Sequence, residues 1–339
     1  MKTGKIELSD NTLFLAPMEN ITDYSFRHMC KENGADIMIS EFIASEGLIR
    51  DCEKSFKKMK IEDSERPFGV QLYGPRTEAM VEATKKAEET RPDFIDLNFG
   101  CPAKKIANRG AGAGLLQNVP LMIEMAEAIV KATDLPVTAK IRIGWDHNHI
   151  NVLEVAKKLQ EAGIQLLTIH GRTKSQMYQG KADWETIASV KHHPDIFIPI
   201  VGNGDIQTPE DAKKAFEYYQ VDGVMIGRAT VGKPWLFKQI KHYLIYNELI
   251  EEPSIEEKVE IARKHLKKSI EWKGYPRGIY EMRRHLSNYF KGLPNFKKIK
   301  RTLVTSLDEQ ELMETLDYIA EKYADFDSTL LPGNNFFHY

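Results

Sequence analysis

The sequence predicts an α/β chain, a (β/α)8 TIM barrel followed by a small all-helical C-terminal domain, and three observations carry that prediction. From residue 12 to about 228, short apolar runs alternate with helical patterns of ten or more residues, the rhythm of parallel strands joined by helical crossovers. The rhythm repeats eight times, which suits a closed barrel better than an open sheet. After "IGRATVGKPWLFKQIKHYL" it stops, and acidic "NELIEEPSIEEKVE" leads into segments with helical periodicity alone. The chain has 339 residues, more than the roughly 250–300 at which one core stops growing. The expected division is therefore a barrel over residues 1–245 and a helical domain over 246–339.

The strands are expected at 12–15, 36–40, 68–73, 94–98, 137–143, 166–170, 198–201 and 223–226. Between them, helix starts are marked by Thr77, by Asn118-Val119-Pro120 and by Thr208-Pro209, each a capping side chain or a proline suited to a first turn.

The composition, 42% hydrophobic and 28% charged with a formal charge of -2, is that of an ordinary globular protein and announces no nucleic-acid partner by itself. No apolar run approaches the ~18 residues of a membrane span, and the N-terminus lacks a signal-peptide core. A cytoplasmic protein with no membrane contact is expected. Cys30, Cys52 and Cys101 are odd in number and without zinc-ligand spacing, so neither disulfides nor a metal is expected. The neutral total hides a basic block: residues 261–301 hold 13 Lys and Arg against two Glu. Trp272, Tyr275, Tyr280, Tyr289, Phe290 and Phe296 are interleaved with it. Such a pattern suits either a surface that follows a phosphate backbone and stacks bases, or a solvated helix face over an aromatic core.

In such barrels the site lies at the carboxyl ends of the strands. The residues there are Pro17 and Met18 after the first strand, Gln71 in the third and Asn98 closing the fourth before Cys101. Lys140 and Arg142 follow on the fifth strand, then His170 and Arg172 after the sixth. The seventh and eighth run into Gly202, Asn203, Gly204 and Asp205, and into Gly227 and Arg228. Glycines and an arginine after strands seven and eight suit a phosphate site, or serve as plain turns. No strand is followed by G-x-G-x-x-G, so a Rossmann site is not indicated. Lys140 and Arg142, two apart, share a face and require an anion unless they reach solvent or a carboxylate. His170 is either a proton-transfer group or a hydrogen-bonded structural histidine. Cys101 is either an inert buried thiol or, beside Lys104, Lys105 and Arg109, one whose pKa a positive field lowers, fit to act as nucleophile or acid.

The blocks "LAPMENITDYSFR", "DLNFGCPAKKIANRGAGAGLL", "VTAKIRIGWD", "LTIHGRT", "VGNGDI" and "GVMIGRATVGKPWLF" resemble, in order over residues 12–240, the signatures of the tRNA-dihydrouridine synthases, FMN-dependent oxidoreductases that reduce particular uridines in tRNA. The resemblance implies FMN in the barrel mouth against Pro17 and Met18, with Gln71 and Lys140 on its polar edge and His170 nearby. Its phosphate would be held by Gly202, Asn203, Gly204, Gly227 and Arg228, with Asp205 beside them. It implies hydride transfer to C6 of the uracil, Cys101 as the acid that protonates C5, and NADPH or NADH as reductant. Asn98 would read the base edge and Arg142 hold the uridine. Arg172, Lys104, Lys105 and Arg109 would join the tRNA contacts. The basic helical tail resembles the family's RNA-binding domain more loosely, and charge density singles out Arg283, Arg284, Lys297 and Lys298 as phosphate contacts. No obligate protein partner is implied. Glu19, in a turn where the family often has small residues, puts a carboxylate beside the flavin. Two other functions are compatible with parts of this pattern: an FMN barrel reducing a small pyrimidine or enone, which does not explain the basic tail, and a flavin-containing RNA remodeller, which has no need of an acid.

Overall fold

The structure, a computed structural model, describes residues 2–3 and 6–327. Eight parallel strands follow one another: β1 (Thr12–Leu15), β2 (Met38–Ile39), β3 (Phe68–Tyr73), β4 (Phe94–Asn98), β5 (Val137–Arg142), β6 (Leu166–His170), β7 (Ile200–Asn203) and β8 (Gly223–Ile226). Each pairs with the next, β8 pairs with β1, and a bridge from Phe14 to Ile37 completes the circle. Helices cover the outside, as apolar residues on both strand faces require. A two-stranded hairpin, Lys2–Thr3 with Ile6–Glu7, precedes the barrel.

Two strands differ from the sequence reading for local reasons. The second is a regular ladder only over Met38–Ile39: before it, the Asp36 and Ile37 N–H groups turn to Leu13 O (2.9 and 3.2 Å) and the Asp36 carboxylate takes the Leu13 N–H (2.9 Å), and after it Ile43–Ala44 pairs separately with β3. The seventh begins two residues late, since Gln160 Oε1 accepts from the Phe197 and Ile198 amides (2.7 and 3.1 Å) before the ladder starts. Asn118 and Thr208 do cap their helices, whereas Thr77 is already helical and turns its hydroxyl to Glu124.

Side chains pointing into the barrel alternate along each strand. Phe14 and Phe94 fill its lower half, where a Cβ on Gly223 or Gly69 would lie 2.8 or 2.2 Å from their rings. Above them the interior turns polar: Gln71, Asp96, Thr138 and Thr168 are buried, and Asn98, Lys140, His170 and Asn203 close the top.

Beyond the helix Leu236–Tyr246 a second apolar cluster forms around Leu266, Leu286, Phe290, Leu303, Leu312 and Leu316, separate from that of the barrel. Its helices are Ile255–Lys273, Arg277–Tyr289, Lys297–Thr305 and Glu309–Lys322, and the last of the expected 246–339 domain, residues 328–339, lies outside the described residues. We label the barrel helix Tyr24–Glu32 α1 and the helix Ile255–Lys273 α2. Along the seam between them, Phe26 of α1 packs on the rings of His265 and His285 at 5.6 and 4.6 Å, and Lys273 of α2 bridges Asp23 and Glu281. Among the described residues no helix is long and apolar enough to cross a membrane, and no group of three His, Cys, Asp or Glu is placed to hold a metal.

Candidate active site

A cavity opens at the carboxyl ends of the strands, floored by Ala16, Met18, Met225 and Ile226 and walled by Asn98, Cys101, Lys140, Arg142, His170, Asn203 and Arg228. Its charge is unusual. Lys140 Nζ donates to Asn203 Oδ1 (2.9 Å), and no carboxylate among the described residues lies within ion-pair distance of it. Burial, reinforced by Arg142, lowers its pKa to about 7. Arg142 is 2% exposed and gives three of its five N–H groups to carbonyls, of Gly100 (2.9 Å), Thr173 (2.9 Å) and Met177 (2.8 Å), which hold it without cancelling its charge. Burial lowers its pKa to about 10. His170 is buried among these cations and held well below its usual pKa, first by burial and then by Arg142 and Lys140, so its ring is neutral. Arg172 Nη1 faces His170 Nε2 at 3.4 Å, which leaves the ring proton on Nδ1. An excess of withdrawn positive charge over an apolar floor is a site for a flat ligand with anionic groups.

Cys101 sits on the loop after β4. Asn98 Oδ1 accepts from the backbone N–H of Gly100 (3.1 Å) and of Cys101 (2.9 Å), tying the loop to the strand end. Cys101 O accepts from Ala113 N (3.0 Å), and Gly112, with φ of 54°, lets the chain pass where a Cβ would lie 3.1 Å from the Cys101 Cβ. Lys104, Lys105 and Arg109 point outward and are exposed. Burial raises the thiol pKa above its ordinary value, and the Ala103 backbone N–H, Arg142 and Lys140 only partly oppose it. The expected lowering by the basic loop is thus reversed: the thiol keeps its proton, which suits an acid and not a nucleophile.

The dihydrouridine synthase family profile matches residues 14–325. The chain belongs to the dihydrouridine synthase family. It is 43% identical over 296 residues to a probable tRNA-dihydrouridine synthase of Rickettsia bellii (87% of this chain, 90% of that one). It is 39% identical over 290 residues to tRNA-dihydrouridine synthase B of Pseudomonas aeruginosa (86% and 87%). Among solved structures it is similar to 2-naphthoyl-CoA reductase, with a TM-score of 0.58 at 14% identity over 71% of this chain and 51% of that one. It is also similar to a morphinone reductase mutant, with a TM-score of 0.51 at 12% identity over 74% and 90%. These two likenesses place the fold among such barrels.

Against this synthase frame, the structure gathers Pro17, Met18, Asn98, Cys101, Lys140, Arg142, His170, Asn203, Gly204, Asp205, Gly227 and Arg228 around one cavity. Others of the expected residues stand elsewhere. Gln71 is fully buried below the floor, between Asp96 and Asn98. Glu19 turns away and accepts from Lys58 (2.6 Å), while Gly202 lies behind the wall, where a Cβ would strike the Trp184 ring at 2.3 Å. Arg172 is buried and donates to the carbonyls of Gln179 (3.1 Å) and Gly180 (2.6 Å) and to Asp205 (2.7 Å). In the tail, Arg284, Lys297 and Lys298 are exposed, but Arg283 lies over the Tyr280 ring at 4.5 Å and donates to Thr305 O (2.9 Å). The aromatics of the basic block divide: Tyr289, Phe290 and Phe296 are core, while Tyr275 and Tyr280 face solvent. Sequence reasoning passed over Phe42 and Tyr178 in the wall. The Tyr178 ring has the guanidinium groups of Arg228 and Arg142 at 5.0 and 5.6 Å. An aromatic in the polar stretch "TKSQMYQGK", just past a strand end, was its only signal.

Proposed function

We propose that the chain reduces the C5–C6 bond of uridine in tRNA, in the cytoplasm, using FMN as its flavin and NADPH or NADH as reductant. The observation that carries this reading is the placing of a half-buried thiol that keeps its proton and of Lys140, which meets an amide oxygen but no carboxylate among the described residues, on one cavity. The same donor set fits a flavin. Met18 and the Ala16–Pro17 turn offer an apolar bed, and Lys140 gains by meeting an anionic ring edge, since a bound negative charge restores its lost pKa. Gly204, Gly227 and Arg228 offer close backbone approach and a cation to a phosphate. When bound, the flavin supplies the hydride that C6 receives.

The chain's own part is acid catalysis and positioning. Cys101 gives its Sγ proton to C5 as C6 gains the hydride, and the thiolate recovers a proton from solvent. Lys140 and Arg142 stabilise the negative charge that builds on the pyrimidine oxygens before protonation is complete. The uracil must leave the tRNA stack to enter a barrel mouth. Exposed Lys104, Lys105 and Arg109 beside the mouth, with Arg284, Lys297 and Lys298 on the helical domain, supply phosphate contacts for the displaced strand.

The test is to incubate the flavin-loaded protein with NADPH and unmodified tRNA, digest the RNA and measure dihydrouridine. Wild-type protein forms it. Cys101→Ala loses roughly 10²–10⁴-fold in rate, the usual contribution of a positioned acid, while still binding flavin and tRNA. Full activity in Cys101→Ala would remove the thiol from the mechanism. NADPH oxidation with free uracil or an enone, but not with tRNA, would establish the small-molecule reading instead.

A further inference from the structure

Branched apolar side chains ordinarily fill a barrel of this kind. Asp96 breaks that rule. It stands on β4, 1% exposed, opposite Gln71 on β3 and Thr138 on β5. Both its oxygens receive donors: the Thr138 hydroxyl meets Oδ1, and Gln71 Nε2 meets Oδ2 at 2.6 Å. Burial pushes its pKa up, and these two donors with Lys140 oppose that only in part. A carboxylate in such a place costs stability unless it organises its surroundings.

What it organises follows from donor and acceptor counting. Gln71 turns its NH₂ toward Asp96 Oδ2 and its oxygen away. That oxygen accepts from Asn98 Nδ2 at 2.8 Å, which in turn sets the direction of the Asn98 amide. Both lone pairs of Asn98 Oδ1 are then taken by the backbone N–H groups of Gly100 and Cys101. One hydrogen on Asn98 Nδ2 is left, on a side chain that lines the cavity. Asp96 thus sets the direction of Gln71, and Gln71 braces an Asn98 whose polarity the Gly100 and Cys101 N–H groups also require.

We propose that Asp96 is a positioning residue: acting through Gln71, it locks Asn98 as a hydrogen-bond donor toward the cavity and holds the Cys101 loop. The site therefore accepts a pyrimidine that presents a carbonyl oxygen and rejects one that presents an amino group, so uracil is taken and cytosine refused. This rests on the reading of the cavity as a uridine site. A donor-only amide matches a carbonyl and leaves an amino group facing another donor, the kind of mismatch that buried polar sites discriminate strongly.

The test uses the full-length, flavin-loaded protein in a Cys52→Ser background, so that Cys101 is the accessible thiol. Asp96→Leu and Asp96→Asn are compared by three readouts: the rate of Cys101 alkylation by iodoacetamide without tRNA, kcat and KM on tRNA, and the ratio of kcat/KM for transcripts with uridine or cytidine at the reduced position. Asp96→Leu is expected to speed alkylation several-fold and to lower kcat by about 10–100-fold, the cost of a loosely held reacting group, with KM little changed. Its preference for uridine over cytidine falls. Asp96→Asn restores most of the loss, because its oxygen accepts from Gln71 while its NH₂ turns to the Thr138 hydroxyl. Wild-type alkylation and selectivity in Asp96→Leu would overturn the proposal, as would an Asp96→Asn variant no better than Asp96→Leu. Should Asp96→Leu fail to fold, Gln71→Met cuts the same chain one link higher, and wild-type alkylation and selectivity in that variant overturn the proposal too. The two readings separate cleanly: a wild-type protein that forms no dihydrouridine defeats the uridine reading, whereas the alkylation rates report on the Asp96 chain whatever the substrate.

Discussion

Two lysines withdrawn from water, one in the barrel mouth and one in the seam, are treated oppositely by the fold. Lys273, with 7% of its side chain exposed, bridges Asp23 and Glu281, and these partners lift its pKa against the effect of burial. Lys140 has an amide oxygen and no carboxylate, and its pKa falls to about 7. Neutralised charge marks a contact the chain keeps for itself, and charge left unneutralised marks one kept for a ligand.

The sharpest way to break this contrast is to remove each lysine in turn. Lys273→Met leaves Asp23, which also caps α1 by accepting from Phe26 N (3.1 Å), without its counter-charge. A loss of about 3–5 kcal/mol in urea unfolding is expected for stranding a buried partner. The seam should also respond to acid. Burial lowers the His285 pKa to about 4, below its unfolded value, so the unfolded chain binds the extra proton first. Stability from this residue is full above about pH 6.5 and is lost as pH falls toward 4, by roughly 3 kcal/mol. Urea midpoints between those pH values check it, and His285→Phe should flatten the slope. The smallest effect belongs to the mouth. Lys140→Met should leave the flavin-free protein as stable as wild type or slightly more so, while weakening flavin binding by about 1.5–3 kcal/mol, the worth of a charge-assisted bond, in a fluorescence titration. If Lys140→Met unfolds as readily as Lys273→Met, the two lysines are not different in kind.

The same contrast explains what could be read from the chain. The barrel was legible because strand and helix periods are local: six of the eight expected strands overlap the observed ones over most of their length, the seventh is shifted by two residues, and the second is a regular ladder only at Met38–Ile39. The ring of polar strand ends was legible because a barrel assigns every strand end to one face. Side-chain partners over long separations were not. Arg172 read as a ligand contact, yet it gives its donors to the carbonyls of Gln179 and Gly180 and to Asp205, while Arg142, which does line the cavity, is anchored there by carbonyls up to 42 residues away. Glu19 read as a flavin neighbour, yet Lys58, 39 residues on, holds it. The basic tail left two readings open, a base-stacking surface or a solvated face over an aromatic core, and helical periodicity sends Tyr289, Phe290 and Phe296 inward and Lys297 and Lys298 outward, as the second has it.

Arg142 and Arg172 grip the segment from Thr173 to Gly180 by the carbonyls of Thr173, Met177, Gln179 and Gly180. A grip on main-chain oxygens is indifferent to the side chains it carries. The exposed Met177 side chain can therefore be exchanged without loosening the segment, whereas the Tyr178 ring adds to the grip through Arg142 and Arg228. The lip of the cavity is in this sense fastened by its backbone, so that a side chain there can change while the barrel beneath stays the same.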